Sequence, residues 1–234
     1  MPAPLVALAV VAAAAGVVGG LRARGSMRRH AQAHGWLYSE QDDALAAAWT
    51  LPPFAHPPAP GDLDTGPVRR NARMRQVARF VVEGSEAAAL TFEHTHGDVV
   101  NRYQVAALRT GQGLPRTMLR AGIDAFVLPG YAGLHRVREP RVQVRNGVLA
   151  VLSEDPRAVE TLPVRSVAGD LAVDRQLTVV ADGDWLYAYR PTPGPPWRAE
   201  AMIDVLRRFA RAVGEPRWPR EDPGAPSTYV YGAA

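Results

Sequence analysis

The stretch best equipped for chemistry is Phe-Glu-His-Thr-His-Gly-Asp, residues 92–98. Side chains two apart on a strand share a face, so His94 and His96 would present two imidazoles to one Zn²⁺. Asp98, beyond a turn at Gly97, is the candidate third ligand, and Glu93 points the other way. Such a site would support metal-assisted hydrolysis, which is the alternative function. Leu90 and Phe92 occupy the same face as the two histidines and give it an ordinary packing role. His94, His96 and Asp98 therefore stand as candidate metal ligands, with no catalytic residue and no cofactor assigned.

Other combinations are weaker. Glu154 with Asp155, and Asp182 with Asp184, sit beside turns or helix starts, where carboxylates cap and solvate. Reading either pair as a glycosidase dyad would need a cleft. Ser153 or Ser166 with any of the 6 histidines is unconstrained as a nucleophile. The chain has no G-x-S-x-G, no Walker A, no G-x-G-x-x-G and no H-E-x-x-H. The Gly-Gln-Gly at 111–113 reads as a turn. Without cysteine there are no disulfides or thiolate sites, and without lysine no side-chain Schiff base.

The element that must position everything else is the N-terminus. Pro4–Leu21 is uncharged and apolar, and Arg22, Arg24, Arg28 and Arg29 follow it. As a helix it would span about 27 Å, close to a hydrocarbon core of roughly 30 Å. The alternative is a cleaved signal peptide, but no basic residue precedes the run. The reading is a retained single-pass anchor in the cell membrane, with the bilayer as partner through residues 4–21. Positive charges after the span predict a cytoplasmic body, and the four arginines would meet anionic headgroups.

The remaining chain is foldable: 47% apolar and 21% charged, with a net charge of +4. Nucleic acid is excluded as a partner because no recognition motif accompanies the charge. Pro and Gly, at 21 residues each, predict short elements and many loops. The expected organisation is a transmembrane anchor at 1–21, a basic juxtamembrane and helical segment at 22–51, and a Pro/Gly-rich linker or loop at 52–68. A globular α+β domain at 69–216 and a loose tail at 217–234 follow. Within the body, alternation predicts strands at 74–83, 87–96 and 99–109, a hairpin across Asn146-Gly147, and a second across Asp182-Gly183. A helix is expected from Asp155-Pro156. A last one carries Met202, Leu206, Phe209 and Val213 as its apolar stripe. The fold class is α+β, a mostly antiparallel sheet with a C-terminal helix on one face. Trp185, Tyr187 and Tyr189 read as a core stripe of one strand.

The anchor and basic run, GWLYSEQDDAL (35–45), ALTFEHTHG (89–97), QVAALRTGQGLPRTML (104–119), SEDPRAVETLP (153–163) and LTVVADGDWLYAY (177–189) together resemble a group of single-span membrane proteins of unknown function from actinobacteria. The resemblance is one of layout and implies a membrane-associated domain. The function expected is a non-catalytic, membrane-anchored domain that binds a protein partner or the membrane surface.

Overall fold

The structure is a computed structural model that describes residues 27–45, 49–51, 53–54, 72–96, 99–121, 134–137, 143–144, 147–155, 157 and 162–213. The apolar run at 4–21, most of the 52–68 segment and the tail lie outside these residues. Among the described residues no helix is long and apolar enough to cross a membrane.

The body is an eight-stranded antiparallel sheet with helices on one face. A short helix α1 (27–33) precedes the edge strand β1 (Leu37–Gln41). A meander follows: β2 (Ala72–Val82), β3 (Ser85–His96) and β4 (Val99–Ala121). The strands β5 (His135–Val137), β6 (Gln143–Val144) and β7 (Gly147–Ser153) complete one end. Helix α2 (Val164–Val173), strand β8 (Thr178–Arg190) and helix α3 (Pro196–Ala212) finish the body.

The organising strand is β4. Residues 104–108 pair with β3 on one edge and β8 on the other, and residues 117–120 pair with β7 and β8. Two expected features differ here. Gly111 and Gly113 do not end the strand, and Asp182-Gly183 is not a hairpin turn. Both strands run through. The register slips between Arg109 and Thr117 of β4, opposite positive-φ Gly183 of β8. Thr110 Oγ1 donates to the Asp184 carbonyl (3.2 Å) and Gly113 N–H to Asp184 Oδ1 (3.3 Å), closing the bulge. The hairpin expected across Asn146-Gly147 is present as β6 against β7, but Gly147 is a strand residue paired with Val144 and not a turn residue. Most of the helix expected from Asp155-Pro156 lies outside the described residues, and a helix is present further on, at α2. Asp155 Oδ1 accepts the Arg157 N–H (2.8 Å) in a local turn.

Alternation along β8 divides the two faces. Leu186 and Ala188 join the side covered by α2 and α3, with Val167, Leu171, Leu206 and Phe209. Trp185, Tyr187 and Tyr189 join the other, under Trp49, Leu51 and Phe54. The core stripe is as expected, and residues 37–54 contribute both a strand and core side chains to the same body. On the helical face, small residues let helices come close. Ala78 and Ala89 are register partners, and Met27, Ala31 and Ala199 pack on them.

The β2–β3 turn is latched to α3. Glu83 and Gly84, both at positive φ, form a two-residue loop between paired Val82 and Ser85. Glu83 accepts hydrogen bonds from Arg207 and Arg211 of α3, which hold its carboxyl down to about 2.

Leu206 is fully buried, so Leu206→Ala should cost about 2–5 kcal/mol through lost transfer energy and a cavity. An unchanged urea midpoint would refute the packing of α3. The depressed Glu83 sets a sign for pH. Its stabilisation is fully present above the ordinary carboxylate value near 4.5 and is lost as pH falls towards about 2. Glu83→Gln should therefore lower the denaturation midpoint at pH 6, with the gap to wild type closing by pH 2–3.

Candidate functional site

His94 lies on β3 with Leu90 and Phe92, on the aromatic face of the sheet. It is buried, at 6% exposure, and its Nδ1 lies 3.3 Å from Asn101 Nδ2 on β4. The rings of Phe92 and Tyr103 stand 6.4 and 6.5 Å away. Burial pushes the Tyr103 hydroxyl above its ordinary value. The side chain of His96 and the whole of Asp98 lie outside the described residues, so of the three candidate ligands only His94 is described.

The other sequence candidates have local tasks. Ser153 and Thr117 share a buried hydrogen bond of 2.7 Å, and Ser153 Oγ also donates to the Arg116 carbonyl. Ser166 Oγ donates to the Pro163 carbonyl (2.7 Å) at the start of α2. Glu154 accepts the Arg116 N–H (2.8 Å). Asp182 is the informative case. Buried in β8, it accepts from Thr50 N (2.5 Å), Thr50 Oγ1 (2.9 Å) and Leu51 N (3.2 Å). It thereby pins the segment carrying Trp49 and Leu51 over the aromatic face. Burial first, then the nearby Asp182 carboxylate, push the Tyr187 hydroxyl well above its ordinary value, so it stays neutral.

A groove of about 580 Å³ opens beside the sheet edge, lined by His34, Trp36, Leu37, Arg79, Val81 and Glu86 among others. Trp36 stacks on Phe80 at 3.9 Å and 11° and forms a rigid wall. Leu37 and Val81 are 76% and 72% exposed. The charges around them pair with one another: Arg79 with Asp42 (2.6 Å) and Glu86 (3.4 Å), and Glu86 with Arg109 (3.7 Å). What the groove presents to a ligand is therefore mainly apolar. Among the described residues its strand, β1, is an edge of the sheet.

Neither a protein-family model nor a curated protein matches the sequence. The fold is similar to the crystal structure of the mycobacterial trehalose monomycolate transport factor A, TtfA. The TM-score is 0.52, the alignment covers 81% of this chain and 92% of that one, and the identity is 16%. The likeness is one of fold.

A second cluster was not singled out from the sequence. His30 and His34 on and just after α1 meet Glu200 on α3, their candidate ligand atoms all within 4.8 Å of one another. The signal available was the H-x-x-x-H spacing in a segment expected to be helical; the carboxylate comes from 166 residues further on and has no local signal.

The bonds to Asp182 predict a large effect. Asp182→Ala would leave the buried Leu51 N–H without its acceptor and release Thr50, at a cost of about 3 kcal/mol. Asp182→Asn, which keeps one acceptor oxygen, should cost less. Equal denaturation midpoints for wild type and Asp182→Ala would show that the segment is held by packing alone.

Proposed function

We propose that the chain is a non-catalytic, membrane-anchored docking module that assists movement of an envelope glycolipid by engaging an integral-membrane partner. The observation that carries this is the apolar groove beside β1, with its charges internally paired and Leu37 and Val81 left exposed. An extended segment of the partner would set apolar side chains into the groove alongside β1, the outermost described strand. The fold shared with a trehalose monomycolate transport factor supports the lipid-transport part of the reading.

Position along the chain supports a membrane partner. Only six residue steps separate Leu21, the end of the apolar run, from Met27, the first residue of α1, a reach of about 20 Å even when extended. With residues 4–21 in the bilayer, α1 and the neighbouring groove would stay near its surface. The arginines at 22, 24, 28 and 29 would hold the module against anionic headgroups.

The test is complementation. In a host lacking the protein, the wild-type chain should restore outward delivery of the envelope glycolipid, measured by surface labelling. Leu37→Asp with Val81→Asp should not restore it, although the double variant reaches the membrane in equal amount and melts within a few degrees of wild type. Full rescue by the double variant would overturn the reading.

A further inference from the structure

We propose that His30, His34 and Glu200 form a binding site for one divalent transition-metal ion of the zinc type, which clamps α1 to α3. The site shares His34 and Trp36 with the groove but does not rest on the docking reading, and it was not among the sequence candidates.

The spacing comes first. Residues four apart on a helix are neighbours on one face, and here the two imidazoles lie with ring centroids 4.2 Å apart. Glu200 meets them from the first turns of α3. His30 Nε2 stands 2.8 Å from Glu200 Oε1 and His34 Nε2 stands 3.9 Å from the same oxygen. These values bracket the roughly 3.4 Å that separates two ligands of a tetrahedral ion with bonds near 2.05 Å. Small side-chain rotations would equalise them.

The protonation pattern points the same way. His34 Nδ1 lies 2.8 Å from the His30 carbonyl oxygen, which can only accept, so Nδ1 carries a proton. In the neutral ring the Nε2 lone pair then faces the Glu200 carboxylate. A metal ion between them would be bound by both. The Nδ1–H to carbonyl bond is also the outer-shell contact that orients metal-ligating histidines. On binding, His30 Nε2 would give up the proton it now shares with Glu200.

The supports are rigid. Met27 and Ala31 of α1 and Ala199 of α3 are buried together on Ala78 and Ala89, so both helices are packed where the ligands leave them. The Trp36 ring lies 5.2 Å from each imidazole and walls one side. Side-chain exposures of 21% for His30, 47% for His34 and 38% for Glu200 leave the fourth position open to water. Two imidazoles and a carboxylate suit zinc, and also nickel or copper, better than magnesium or calcium. The ion would join the helix that follows the apolar run to the last helix of the body.

The test uses the full, untagged chain in detergent, stripped with chelator and titrated with zinc chloride by calorimetry. One ion per chain should bind, and the melting temperature should rise with zinc. His34→Gln and Glu200→Gln should each weaken binding by at least about 10-fold, and His30→Gln with His34→Gln by at least about 100-fold, on the scale of metal-site substitutions. His135→Gln, an exposed histidine of β5, should bind as wild type. His34 is half exposed, so its variant should keep the wild-type far-ultraviolet spectrum; loss of zinc binding with that spectrum intact supports the site. Stoichiometric binding retained in the double variant would overturn it. So would a wild-type chain that takes up no zinc and shows no rise in melting temperature, which would leave His30 and Glu200 as a plain hydrogen-bonded pair.

Discussion

The structure depends on the continuity of β4. A strand hydrogen-bonded on both edges and packed on both faces has no solvent to satisfy its backbone, so its neighbours must run the full length with it. Along 104–108 those neighbours are β3 and β8, and along 117–120 they are β7 and β8. The meander at one end and β7 with its partners at the other are thus held in one sheet by one strand. The bulge in the middle lets β4 and β8 bend together without breaking the ladder on either side.

Covering both faces of such a sheet takes different side chains on each. The aromatic face fills its space with Trp49, Phe54, Phe92, Trp185 and Tyr187. Asp182 supplies the polar tie that brings the 49–51 segment across. The helical face is built around alanines at 78, 87, 89 and 106, which allow α3 and α1 to settle near the strands. That small-residue floor also brings Glu200 to the histidines on and just after α1. A larger side chain at Ala78 or Ala89 would push the two helices outward and separate the cluster.

How much of this was legible follows from how local each signal is. The strands of the meander, the stripe of β8 and the apolar face of α3 were readable because periods of two and about 3.6 residues are written in consecutive residues. The bulge was not. Gly-Gln-Gly and Asp-Gly are equally good as turns, and only the pairing of Gly183 with Leu114, 69 residues away, makes them a matched irregularity in two continuous strands. Asp182 was misread for the same reason, since a carboxylate beside a glycine looks like a turn until Thr50 arrives to meet it. The candidate site divides similarly. His94 was correctly placed on one face with Leu90 and Phe92, whereas the groove exists only after β1 docks beside β2, with Leu37 opposite Arg79.

The polar groups of the described core are engaged in holding segments together. Asp182 binds Thr50 and Leu51, Ser153 binds Thr117 and the Arg116 carbonyl, and Gln104 donates to the carbonyls of Gly194 and Pro195 at the entry to α3. The groove beside β1 is lined by Leu37, Val81 and Trp36 together with His34, Arg79 and Glu86. Exposed apolar side chains beside an edge strand of the described sheet invite association. A short edge of five residues limits that association to a brief segment of partner, and the paired charges of Arg79, Asp42 and Glu86 offer it no unbalanced charge. The surface is therefore suited to an apolar, extended peptide segment, which is the physical basis for reading this fold as a docking module.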